Sequence, residues 1–140
     1  MTNPKLSSIF IVDDSAIERS MLADHLAKFP DLEIKEYSNG ESCIRELIVG
    51  DVQEPYLILM DYFLDVTPGS SKDGLEVLTK LKEICPAAHV IMLTSVSNEK
   101  IIELARQKGA LDYVVKSQLS YEQLDSVLEK HFDIKNITQN

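Results

Sequence analysis

Four apolar runs in this chain each end on a chemically loaded residue, and that repetition limits the folds open to it. Ile9-Phe10-Ile11-Val12 runs into Asp13-Asp14, Leu57-Ile58-Leu59-Met60 into Asp61, Val90-Ile91-Met92-Leu93 into Thr94, and Tyr113-Val114-Val115 into Lys116. Continuous apolar runs of this length, rich in Val and Ile, mark strands covered on both faces, as in a parallel sheet. Ligands of open α/β sheets bind beyond the carboxyl ends of the strands. The runs therefore deliver three carboxylates, a hydroxyl and an ammonium to one edge of one sheet, and function is expected at that edge.

Helix signals alternate with the strand signals. Ser15 and Glu18 have the spacing of a capping box, followed by Ile17, Met21, Leu22, Leu26 and Phe29 at helical intervals up to Pro30. Glu33-Ile34-Lys35-Glu36-Tyr37 alternates polar and apolar, as an edge strand does. Ser38 with Glu41 predicts a second capped helix carrying Cys43, Ile44, Leu47 and Ile48, with Gly50 as its stop. A third helix opens at Asp73, packs through Leu75, Leu78, Leu81 and Ile84, and ends before Pro86. The fourth starts near Ser97, shows Ile101, Ile102, Leu104 and Ala105, and ends at Gly109, a left-handed residue just past the helix. The fifth begins with Ser120 and Gln123 and continues through Leu124, Val127, Leu128 and Phe132; Asp133 to Asn140 is polar and expected to fray.

The order is (βα)5 in an α/β fold, and right-handed crossovers make it a doubly wound sheet. A flavodoxin-like five-stranded parallel sheet in order 2-1-3-4-5 suits the polarity, because strands one, three and four are the most apolar and strand two fits an edge. At 140 residues the chain is long enough for one core and too short for a second, so residues 1–140 are read as a single domain. Its core runs from about 6 to 132, with 133–140 as tail. A net charge of −9 excludes binding DNA through a basic face. Cys43 and Cys85 have neither metal nor redox spacing and are read as reduced thiols. No run approaches the roughly 20 apolar residues needed to cross a bilayer, so no membrane span is expected and the chain is expected to be cytoplasmic.

Asp13, Asp14 and Asp61 would crowd one another at the strand ends. Two carboxylates about 4 Å apart repel by roughly 4 kcal/mol at an effective dielectric near 20, so a cation or protons must relieve them. An all-oxygen cluster points to Mg²⁺, which takes one or two carboxylates together with phosphate oxygens. Lys116 can pair with such a carboxylate or with an anion attached to it, and Thr94 can donate to the same anion. Charge and hydroxyl around one carboxylate suit a transferring phosphoryl group, whose catalysis is mostly positioning and charge stabilisation.

In this ordered set the chain resembles the receiver domains of two-component response regulators, from about Leu6 to Phe132. Asp13-Asp14, Asp61, Thr94-Ser95 and Lys116 carry the likeness, each at the end of its strand, and Tyr113 matches the family's switch aromatic. The resemblance implies a phosphorylation-controlled switch in which Asp61 accepts a phosphoryl group from a phosphohistidine of a sensor histidine kinase or histidine phosphotransfer protein. It implies Mg²⁺ held by Asp14 and Asp61, by Asp13 through water, and by the Phe63 backbone carbonyl. Thr94 and Lys116 would contact the phosphoryl oxygens. Movement of Thr94 and inward rotation of Tyr113 would then remodel the face of helix four, strand five and helix five for a downstream protein. No enzyme activity of its own and no output domain are implied.

Two departures from the family pattern stand out. Tyr62 to Lys72 makes a longer connection than usual before Asp73-Gly74, and its Pro68-Gly69-Ser70-Ser71 has turn chemistry, so a flexible flap is expected there. Asp65 within it is expected to be solvated. Ser117 replaces the family's usual proline after the lysine, so a trans bond is expected, since a cis bond without proline costs about 2.5–4 kcal/mol. Phe63 and Val96, both apolar, cannot orient an attacking water, which implies a phosphoryl lifetime away from the fast extreme. Two other readings remain beside the switch: a phosphorylation-independent adaptor, and a receiver module cut from a hybrid histidine kinase. The Met1 start and polar tail favour a whole protein over a fragment. A Mg²⁺-dependent phosphohydrolase of the haloacid-dehalogenase type is disfavoured, because it needs an Asp where Phe63 stands. Glu99, Lys100, Arg106, Asp112 and Glu129 mix charges on the fourth and fifth helices and their strand, which suits a monomer or a weak dimer.

Overall fold

In the computed structural model, which describes residues 4–62, 73–117 and 120–134, five strands alternate with five helices. The order is β1 (Ser8–Val12), α1 (Ala16–Leu26), β2 (Glu33–Tyr37), α2 (Gly40–Val49), β3 (Leu57–Met60), α3 (Gly74–Ile84), β4 (His89–Thr94), α4 (Glu99–Gln107), β5 (Asp112–Val115) and α5 (Ser120–His131). All neighbouring strands pair in parallel, in the order β2-β1-β3-β4-β5. This is the flavodoxin-like arrangement expected from the polarity of the runs.

The continuous apolar runs are explained by the two cores they serve. Successive strand residues point to opposite faces of the sheet, so a strand buried on both sides needs no polar alternation. Phe10, Val12, Ile58, Met60, Val90 and Met92 enter one core, where α2, α3 and α4 contribute Cys43, Leu47, Leu78, Leu81 and Ala105. Ile9, Ile11, Leu57, Leu59, Ile91 and Leu93 enter the other, against Leu22 and Leu26 of α1 and Leu124 and Leu128 of α5. At the sheet edge, β2 keeps Glu33, Lys35 and Glu36 exposed and buries Tyr37. No helix among the described residues is long and apolar enough to cross a membrane.

Local chemistry shifts some boundaries from those expected. The cap of α2 is Asn39, not Ser38: Asn39 sits in extended backbone and its side chain accepts from the Ser42 N–H at 2.7 Å. Both residues are good caps, and the one whose oxygen reaches the amide three residues on prevails. Helix α4 starts at Glu99 because Asn98 accepts from the Lys100 and Ile101 amides, one residue past the expected Ser97. Gly50 and Gly109 end α2 and α4 at φ of 75° and 104°, as anticipated for left-handed stops. Asp133 does not fray. Its N–H donates to the Pro4 carbonyl at 2.7 Å and its carbonyl accepts from the Leu6 N–H at 3.3 Å, tying the start of the last segment beside the first.

Candidate functional site

The strand ends meet because the ladders run in register. Val12 pairs with Met60, Met60 with Met92, and Thr94 with Val115, so the next residues of β1, β3 and β5 emerge at one edge with Thr94. Main-chain bonds continue past the strands: the Asp61 N–H donates to the Val12 carbonyl at 3.1 Å and the Lys116 N–H to the Thr94 carbonyl at 2.7 Å. Asp13, Asp61 and Thr94 are the buried polar or charged residues of the described chain, and all three lie at this edge. Burying polar groups is costly unless each finds a partner, so their concentration marks a site rather than packing.

Lys116 supplies the partner. Its Nζ donates to Asp13 Oδ2 at 3.0 Å, to Asp61 Oδ2 at 3.2 Å and to Glu18 Oε2 at 2.9 Å. Burial opposes the lysine's charge, but the bonds to Glu18 and Asp13 and the charges of Asp61 and Asp13 hold its pKa above the ordinary value. Asp13 is fixed in turn, with its Oδ1 accepting from the Ser15 N–H at 2.9 Å and its carbonyl from Arg19 Nη1 at 2.6 Å.

The close carboxylate group differs in membership from the expected trio. One oxygen each from Asp13, Glu18 and Asp61 lies within 4.8 Å of the others, a donor set that fits a hard cation. Asp14 is exposed beside them, and its pKa is raised by partial burial and by the charges of Asp13 and Asp61. Glu18 was expected to close a capping box with Ser15. Half of that box exists, since the Glu18 N–H donates to Ser15 Oγ at 3.2 Å. The other half does not: Asp13 takes the Ser15 N–H, which releases the Glu18 carboxylate to Lys116. The local spacing of Glu18 gave no sign of a partner 98 residues away.

Thr94 and Tyr113 converge on one residue. Thr94 Oγ1 accepts from the Val96 N–H at 3.4 Å, and the Tyr113 hydroxyl donates to the Val96 carbonyl at 2.7 Å. The Tyr113 ring is partly buried against the core beneath α3 and α4. Burial, then the charges of Asp61 and Tyr62, push its hydroxyl pKa up to about 12.

The floor beside Asp61 is held by the start of α3. Asp73 caps that helix, accepting from the Leu75 and Glu76 amides, both at 3.0 Å. The Gly74 N–H donates to the Tyr62 carbonyl at 2.8 Å. A Cβ at Gly74 would stand 2.6 Å from Tyr62 Cα and 2.7 Å from the Asp61 carbonyl oxygen, so only glycine lets the helix approach this closely. Phe63, whose carbonyl was expected at the metal, lies outside the described residues, as do Asp65 and the rest of 63–72. The described residues hold no cis peptide bond, and the chain passes from Lys116 to Ser117 in trans.

The likeness to known proteins agrees with this geometry. The family model for the response regulator receiver domain matches residues 9–129. The chemotaxis protein CheY of Bacillus subtilis (strain 168) is 31% identical over 121 residues, spanning 86% of this chain and 91% of that protein. The response regulator domain of Thermotoga maritima CheB superimposes with a TM-score of 0.72 at 26% identity, over 90% of this chain and 93% of that one. A chain of the CheX-CheY-BeF3-Mg complex of Borrelia burgdorferi shares the fold with a TM-score of 0.74 at 20% identity, over 90% of each chain.

Proposed function

The chain belongs to the response regulator receiver domain family, and from that premise we propose that it is a phosphorylation-controlled signalling switch with Asp61 as the phosphoryl acceptor. The observation that carries this reading is the Lys116 ammonium within 3.2 Å of a buried carboxylate at a strand end, with buried Thr94 ending the neighbouring strand. The donor is a phosphohistidine on a sensor kinase or a phosphotransfer protein. An Asp61 carboxylate oxygen attacks phosphorus, the P–N bond breaks, and the imidazole leaves with a proton taken from solvent.

Asp13, Asp14, Asp61 and the Phe63 carbonyl are the groups that would hold Mg²⁺, with Glu18 near enough to add charge. When bound, the ion neutralises the crowded carboxylates and the phosphoryl oxygens. The chain's own groups do the rest. Lys116 offers its ammonium to a phosphoryl oxygen, and Thr94 turns its hydroxyl toward another. As Thr94 moves, it releases the Val96 N–H and resets the peptide to which Tyr113 is bound. That links the site to the face of α4, β5 and α5, where a downstream protein binds. Moving such a two-state element from 1:99 to 99:1 needs about 5.5 kcal/mol of differential interaction, within reach of a charged, largely buried network.

Intact-mass measurement after incubation with Mg²⁺ and acetyl phosphate tests the reading. Wild type gains one phosphoryl group, and Asp61→Asn gains none. Rapid multiple turnover of phosphate would mark an enzyme instead, and equal masses for both proteins would mark an adaptor that works unphosphorylated.

A further inference from the structure

We infer that Glu18 is a positioning residue for Lys116, holding its ammonium before phosphoryl transfer and yielding it as the phosphoryl group arrives. This inference rests on the switch reading above and adds a competitor for the lysine. An ammonium has three N–H donors, and Lys116 directs them to three different carboxylates, those of Asp13, Glu18 and Asp61. A phosphoryl oxygen can gain the lysine only by displacing one of the three.

Solvation decides which contact yields. The side chains of Asp13 and Asp61 are 9% and 10% exposed, whereas that of Glu18 is 49% exposed. While all three carboxylates are charged, losing the ammonium costs more at the buried Asp13 and Asp61 than at Glu18, where water can take over. The motion required is small. The Glu18 backbone is anchored through the Ser15 cap, so release is a rotation of its side chain rather than a shift of α1. A cavity of about 290 Å³ beside the pair, bounded by Glu18, Met21, Lys116, Ser117 and Tyr121, gives the two side chains room to separate.

Two consequences separate this role from a structural one. Glu18 lowers the readiness of the site for an incoming phosphoryl group, both by occupying the lysine and by adding a negative charge. Its length also matters, because a carboxylate one methylene shorter keeps the charge and loses the reach.

The test compares wild type, Glu18→Gln and Glu18→Asp by beryllofluoride titration at saturating Mg²⁺, read by tyrosine fluorescence. Mg²⁺ midpoints are measured separately, and the Lys116 ammonium is observed by proton–nitrogen NMR without ligand. At saturating Mg²⁺ both variants are expected to bind beryllofluoride about twofold to fivefold more tightly, the range of a half-exposed ion pair. In both, the Lys116 ammonium signal should broaden or shift. Wild-type affinity in Glu18→Asp together with a gain in Glu18→Gln would overturn the inference in favour of charge alone. Loss of Mg²⁺ affinity without a gain for beryllofluoride would overturn it in favour of a metal ligand. An unchanged ammonium signal would overturn the contact itself. If wild type ignores beryllofluoride as Asp61→Asn does, the switch reading falls, and the release step falls with it.

Discussion

Asp61→Asn should make the metal-free protein more stable, although Asp61 is buried and ion-paired. The attraction between Asp61 and Lys116 at 3.2 Å is about 5 kcal/mol at an effective dielectric of 20. Against it stand Asp13 and Glu18, whose oxygens lie no farther than 4.8 Å and each repel Asp61 by about 3.5 kcal/mol at that dielectric. Glu18 is half exposed and counts for less than that figure. These charge terms nearly cancel, and burial then penalises a carboxylate more than a neutral amide of the same shape. The expected gain is about 1–2 kcal/mol, or roughly 3–6 °C in Tm. Removing the lysine should do the reverse: Lys116→Met takes the ammonium away from two buried carboxylates and should cost about 3 kcal/mol. Urea denaturation in EDTA, compared at constant m, measures both. Mg²⁺ should then stabilise wild type more than Asp61→Asn and narrow the gap, because a ligand adds stability only to the state it binds. A metal-free Asp61→Asn protein less stable than wild type would refute the charge balance, as would Lys116→Met moving in the same direction.

Two further predictions follow from the same edge of the sheet. Tyr113 has a folded pKa raised to about 12 by burial and by the charges of Asp61 and Tyr62. Its contribution to stability is therefore fully present below about pH 10 and lost as pH rises through 12. A tyrosinate absorbance titration of wild type minus Tyr113→Phe should show a late step near 12; a step at the ordinary value near 10 would contradict the buried placement. Gly74→Ala should destabilise by about 1–3 kcal/mol in thermal or urea unfolding, because the new methyl meets backbone on three sides. On the proposed switch reading it should also slow phosphorylation of Asp61 by displacing that residue's own carbonyl, so wild-type stability and kinetics together would count against the close approach.

The sheet could be read from the chain because its signal is dense and local. Residues 57–60 are apolar at every position, and their alternate side chains serve two separate cores, a pattern that few other structures tolerate. Asp73 was legible as a cap for the same reason, since capping is settled within three residues. Adjacent candidates such as Ser38 and Asn39 defeat that logic, because the choice depends on where β2 lets the chain go. Glu18 was misread for a deeper cause. Its spacing from Ser15 satisfies a local rule, but Asp13 satisfies the Ser15 amide first, and the lysine that claims the carboxylate arrives from the far end of the sequence. Asp133 belongs with it: a polar segment looks loose until Pro4 and Leu6 present a free carbonyl and amide to it.

The peptide groups of Val96 are held from two sides, the amide by the Thr94 hydroxyl and the carbonyl by the Tyr113 phenol. Both contacts are to main chain. The side chain at position 96 is thus free to vary without cutting the connection between Thr94 and Tyr113. On the proposed switch reading, chemistry near Asp61 can be retuned there while that connection is preserved. Proline is the exception, since it has no amide hydrogen to give. On that reading the relay is written in backbone, and the dial beside it in side chain.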